Sequence, residues 1–197
     1  MFTLSRWSGG LVARVGSRLP LTVGPAIAAL GFVLYARPGV GGTYWATFFP
    51  AIVVLAFGMA ITVAPLTTTV MGAVDPRHAG AASGVNNAVA RVAGLVAIAV
   101  FGLVLAYAFD ARVRPRLDQL ALAPPAREAI DRELQKLAGA DVAQVASITP
   151  MERREVSAIV EEGFVFGFRL VMLGGAALAL AAAGFGFAIR APSSRRS

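Results

Sequence analysis

Between Ala79 and Phe109 the chain runs for 31 positions with a single charge, Arg91, and the run opens on the polar cluster Ser83, Asn86 and Asn87. At 1.5 Å per residue about 20 apolar residues cross the hydrocarbon of a bilayer, so the stretch predicts a membrane-spanning helix. A cation inside such a helix costs roughly 3 kcal/mol or more if it faces lipid, so Arg91 is expected to face protein or water. The whole chain agrees: 57% of its residues are hydrophobic and 15% charged, against about 25% charged in a soluble domain.

Counting charge-free runs places three more spans. Leu19 to Ala36 has 18 positions and should stop at Arg37-Pro38-Gly39, where proline and glycine end a helix. Trp45 to Val70 has 26, with Tyr44 and Trp45 expected as interfacial anchors and Pro50 and Pro65 as kinks. Leu170 to Ile189 has 20, between Arg169 and Arg190. The expected organisation is an all-α, polytopic membrane protein. A basic segment, 1–18, leads into spans near 19–36, 45–70 and 82–109. A loop, 110–162, is followed by a last span within 163–190 and a tail, 191–197. The first apolar run does not read as a secretory signal, because it is longer than the usual 7 to 15 residues and Leu34-Tyr35-Ala36 is not a small-x-small cleavage site.

With four spans, segment 1–18, the 71–78 turn and the tail share one side. They carry 3 + 1 + 3 = 7 basic residues, namely Arg6, Arg14, Arg18, Arg77, Arg190, Arg195 and Arg196, against Asp75 alone. The positive-inside rule predicts that this side is cytoplasmic. The opposite side holds the loop 110–162, with eight basic and ten acidic residues, among them Arg112, Arg114 and Arg116 close to a span end. Basic residues spread in this way over loops and helix ends make no folded groove, so nucleic acid is not an expected partner, whereas the bilayer is.

The loop predicts two short helices. Pro125 suits a first helical position, and Ile130, Leu134 and Leu137 follow at helical spacing. Glu128 stands four residues before Arg132, with a stop at Gly139. Thr149-Pro150-Met151-Glu152 has the form of a capping box and should open a second helix through Ile159 and Val160 toward the last span. No catalytic or metal constellation emerges: there is no cysteine, the one histidine, His78, lies in a different loop from Asp110, Glu161 and Glu162, and no cofactor is implied. The module reads as a solvated amphipathic element, not an enzyme site.

The candidate functional residues lie in the third span. Ser83, Asn87 and Arg91 are spaced by four and share a face, with Asn86 about a quarter turn away. Such a face can bond a neighbouring helix, contact a substrate or take part in gating. Gly80, Gly84 and Ala88 form an adjoining small-residue stripe suited to helix packing. Thr62, Thr67, Thr68 and Thr69 can bond back to their own helix, Arg169 can snorkel to an interface, and Gly174, Gly175, Ala176 and Ala177 give the last span a small surface.

The run from Asp75-Pro76-Arg77-His78 through Ser83-Gly84-Val85-Asn86-Asn87 to Arg91 and Gly94 resembles the penultimate-helix signature of the fourteen-helix drug/proton antiporters of the major facilitator superfamily. Residues 9–18, with Gly9, Leu11, Arg14, Gly16 and Arg18, resemble that superfamily's cytoplasmic loop motif in its second-half copy, with Ala13 where the motif is acidic. The resemblance covers essentially the whole chain and implies proton-coupled multidrug efflux across a bacterial plasma membrane, with a drug-like substrate in the complete transporter. It also implies about ten further spans upstream of Met1, so that these residues would be a C-terminal piece, from a truncated gene or a late start codon, not expected to transport alone. The partner would then be the missing N-terminal half or another membrane protein. A stand-alone helical protein that binds or regulates a membrane partner, and an oligomeric pore around Asn87 and Arg91, are the alternatives.

Overall fold

Small residues decide how the first long helices meet. In the computed structural model, which describes residues 18–41, 43–135, 142, 145 and 148–188, helix α1 (Arg18–Tyr35) buries Leu21, Gly24, Pro25, Ala28, Ala29 and Gly31 on one side. That side packs on helix α3 (Phe49–Gly72). A side chain at Gly31 would put its Cβ 2.7 Å from the Leu55 backbone nitrogen, and one at Gly58 would strike the Ala28 backbone. The two main chains therefore approach to a separation that only glycine permits, a close contact characteristic of helices in lipid, where dispersion rather than water exclusion drives packing. Ala51 and Pro65 are fully buried on α3.

Helix α1 ends one residue before the expected stop, with Arg37 donating back to the Leu34 carbonyl at 3.2 Å. A four-residue helix, α2 (Tyr44–Thr47), precedes α3, and the break between them falls at Phe48. Pro50 consequently sits in the first turn of α3, where its missing N–H costs nothing, and is not the expected kink; Pro65 is the proline inside that helix. Tyr44, Trp45 and Phe49 are exposed and touch in sequence, Tyr44 edge-to-face with Trp45 and Trp45 tilted against Phe49, with ring centroids 5.6 and 5.1 Å apart. The threonines bond back to their own helix, Thr62 to the Gly58 carbonyl and Thr69 to that of Pro65, both at 2.8 Å.

A 3₁₀ turn (Pro76–His78) leads into helix α4 (Ala79–Leu117); helix α5 (Pro124–Leu134) and helix α6 (Pro150–Ala188) complete the element order. Among the described residues the regular structure is entirely helical, and α1, α3, α4 and α6 are each long and apolar enough to cross a membrane. Helices α4 and α6 have 39 residues apiece, about 58 Å at 1.5 Å per residue against roughly 30 Å of hydrocarbon. The separate second loop helix expected from the sequence is thus the first part of α6, which runs unbroken into the last span.

The chain divides into two units. The first takes the described residues 18–37, 43–97 and 172–188, and in it Gly175 of α6 lies against the Phe32 ring while Gly186 lies against the Leu21 carbonyl. The second comprises 38–41 and the described part of 98–171, and it holds an apolar core. Phe109, Val113 and Leu117 contribute from α4, Ala126, Ile130 and Leu134 from α5, and Val156, Ile159 and Val160 from α6, each set at helical spacing. Gly163 and Gly167 let α6 close on Val113 and on Leu105 and Ala108 of α4.

The same unit carries the polar network. Arg116 pairs with Glu162, Arg114 with Asp110, and Arg127 with Asp118 at 2.6 Å and Asp131 at 3.4 Å. Arg132 donates to the Glu128 carbonyl at 3.4 Å. The capping box forms with Glu152 accepting from the Thr149 backbone N–H at 2.7 Å and Glu152 N–H donating to the Thr149 hydroxyl at 3.3 Å. Arg169 donates to the Pro38 carbonyl at 3.1 Å. The expected Leu137 and Gly139 positions, and Arg190, Arg195 and Arg196, lie outside the described residues.

Candidate functional site

The polar face of α4 is launched by a fixed turn. Asp75 caps it, its carboxylate accepting from the Arg77 N–H at 2.9 Å and its carbonyl from the His78 N–H at 2.8 Å, with Pro76 supplying the preset first dihedral. Ala79 follows in helical conformation, and from there α4 carries Ser83, Asn87 and Arg91 up one face. Arg91 stands 12 residues after Ala79, about 18 Å along the axis.

Ser83 and Asn86 are half-buried, while Asn87 and Arg91 are exposed. Among the described residues none of these four side chains makes a hydrogen bond or an ion pair. The small-residue stripe beside them is equally open. A Cβ added at Gly80 or Gly84 meets nothing within 4 Å, and Ala88 is exposed. Among the described residues the close approaches between α1 and α3 fall instead at Gly24, Gly31 and Gly58, and those of α6 at Gly163, Gly167, Gly175 and Gly186. The α1–α3 glycines were missed in the sequence, although Gly24, Ala28 and Gly31 already form a small-residue row at helical spacing.

Of the loop-motif residues, Gly9, Arg14 and Gly16 lie outside the described residues. Arg18 opens α1, exposed, with its guanidinium carbon 4.3 Å from the centroid of the Phe187 ring, a cation–π contact. An apolar groove of about 540 Å³ runs between Leu103, Val104, Tyr107, Ala108 and Ala111 of α4 and Phe166 and Leu170 of α6. The Tyr107 hydroxyl is the single polar side-chain group in that lining, which favours hydrocarbon over a polar ligand. Three or more metal-ligating side chains do not converge anywhere among the described residues.

The chain is 30% identical over 168 residues, 84% of its own length, to the multidrug resistance protein Stp of Mycobacterium tuberculosis. A match of that reach takes in more than any one motif. The chain is homologous to a segment of the major facilitator multidrug resistance proteins. It is also 31% identical over 107 residues, 54% of its length, to the methyl viologen resistance protein SmvA of Salmonella typhimurium. A triacylglyceride transporter of Mycolicibacterium hassiacum is 31% identical over 130 residues, 60% of the chain. The matches span 31%, 21% and 23% of those relatives, so the chain corresponds to less than a third of each. No protein-family model matches. The chain is a multi-pass membrane protein, and its homologues are transporters, not enzymes.

Proposed function

We propose that these residues form the closing helices of a proton-coupled multidrug exporter in a bacterial plasma membrane, with the C-terminus in the cytoplasm, and that they do not transport by themselves. The observation that carries this reading is the 84% coverage by Stp joined to a match of only 31% of that protein. Alternating access rocks two helical halves about a midplane site, and each half is assembled from three-helix repeats. Four spans supply part of one half.

The polar face of α4 has the place of an inter-helix contact in such a bundle, with Ser83, Asn86, Asn87 and Arg91 as its hydrogen-bonding groups and Gly80, Gly84 and Ala88 as the surface that admits a neighbour's backbone. The positive-inside count supports the orientation, together with the basic loop around Gly9, Arg14, Gly16 and Arg18. The relatives' names range from drugs through methyl viologen, an organic dication, to triacylglyceride, so the proposed substrate is a drug-like small molecule of a class that those names leave broad.

The test is drug susceptibility in an efflux-deficient bacterium. The 197-residue chain expressed alone should give no resistance, whereas the chain joined to the helices encoded upstream of its first codon should raise resistance at least several-fold. Resistance from the short chain alone, or upstream DNA without any remnant of about ten spans, counts against the proposal.

A further inference from the structure

The charge inventory of the chain points to what must meet Arg91. All eleven acidic residues are Asp75 or lie between Asp110 and Glu162; no span contains one. Along α4, Arg91 is about 18 Å from Ala79, which follows the Asp75 turn, and 19 residues or about 28 Å from Asp110. Both distances exceed the combined reach of two side chains, so α4 cannot neutralise its own cation. Helices α1 and α3 carry no acid at all, and the acids of α6 end at Glu162, before its apolar run.

A second copy of the chain in the same orientation fares no better. A two-fold interface across this face sets like against like, bringing Arg91 toward Arg91 with no acid at that depth. A lipid phosphate lies at the membrane surface, whereas Arg91 stands nine residues, about 13 Å, into the apolar stretch that opens at position 82. Ser83 and Asn87, on the same face and unbonded among the described residues, ask for further partners at intermediate depth.

We infer that the Ser83–Asn87–Arg91 face of α4 receives a membrane helix from outside this chain that carries an aspartate or glutamate at the depth of Arg91. The inference rests on the preceding reading for the existence of such a helix, and adds its chemistry. Ion pairing inside a bilayer gives the docking its specificity, because Arg91 discriminates against any helix that leaves it unpaired. Gly84 and Ala88 beside that face leave room for the incoming backbone, since among the described residues nothing within 4 Å stands over Gly84.

The chain has no cysteine, so a donor dye can be attached at His78→Cys, in the exposed turn before α4. The probes are synthetic Leu/Ala transmembrane peptides labelled with an acceptor at the matching end, in phosphatidylcholine vesicles. Each bears Asp, Asn, Leu or Lys at one position about 13 Å deep. The Asp peptide should reach half-maximal energy transfer at a peptide-to-lipid ratio at least tenfold below that of the Leu peptide, with Asn between them.

Arg91→Lys should keep the Asp preference, Arg91→Leu should lose it, and Arg91→Asp should move it to the Lys peptide. The charge swap also serves if Arg91→Leu proves unfolded by circular dichroism. Equal transfer from Asp, Asn and Leu peptides overturns the inference. So does an Asp preference that survives Arg91→Leu in folded protein, or pairing of two copies that Arg91→Leu abolishes. No transport step enters this assay. An Asp preference in a chain that never supports export therefore sinks the exporter reading alone, whereas export without any peptide preference sinks this inference alone.

Discussion

An added side chain has opposite consequences at two glycines of the first unit. Gly31 faces the Leu55 backbone, with no room for a side chain. Gly31→Leu should destabilise the α1–α3 pair by about 1–3 kcal/mol, the usual cost of overpacking, as a lowered thermal midpoint in detergent. Gly84→Ala meets no neighbour among the described residues. It should leave that midpoint unchanged or raise it through a helix-propensity gain of up to about 1 kcal/mol. Once partner helices are present the same change should cost activity, read as drug susceptibility of the joined transporter. In that assay Arg91→Leu should also impair resistance more than Arg132→Ala, because only the first alters an intramembrane face. The sequence contained both small-residue rows. Spacing reveals that a row exists but not which one finds a neighbour, and Arg91 drew attention to the row that stays open here.

Among elements, the start of α6 was the most legible. Thr149, Pro150 and Glu152 satisfy the first orphan N–H groups of the helix in the way their order predicts. The hydrogen bonds from the Thr149 hydroxyl and backbone N–H hold the Glu152 carboxyl below its ordinary 4.5. A depressed folded-state value means that the cap's contribution is fully present above the unfolded carboxylate's pKa and is lost as pH falls through the folded one. Amide-exchange protection at 151–156 should therefore decline on acidification below that ordinary value, and Glu152→Gln should weaken the pH dependence. The continuity of α6 was less legible. Between Glu162 and Gly163 the charge pattern changes but the backbone meets no breaker, so a boundary drawn from charge is not a boundary of the helix. Pro50 misleads in the converse way, since a proline that looks like a kink inside an apolar run can mark its first turn.

Over the whole molecule, apolar side chains are buried by two different rules. The first unit leaves Val85, Val89, Leu95, Leu178 and Phe185 exposed, as suits helices bathed in lipid, and buries glycine and alanine. The second unit buries Val113, Leu117, Ile130 and Val156 completely, as a protein in water does. Ile130→Ala should cost about 2–5 kcal/mol in unfolding of the second unit. Hydrogen exchange should show α5 amides losing protection while α3 amides keep theirs. Hydropathy alone separated these regimes in outline, since the amphipathic spacing of Ile130 and Leu134 was visible. What it could not supply was the share of α4 and α6 in the same core, because Phe109 closes the charge-free run while the helix continues through Val113 and Leu117.

The reach of that core along the sequence bears on synthesis. Its members begin at Phe109 and end at Val160, ahead of the apolar run from Leu170 to Ile189. A ribosome adding about 5–20 residues per second needs from one to several seconds to pass from Val160 to the end of that run. Every core side chain has therefore been synthesised before the last span exists in full, and the first turns of α6 can be seated on α4 and α5 once they have left the ribosomal tunnel.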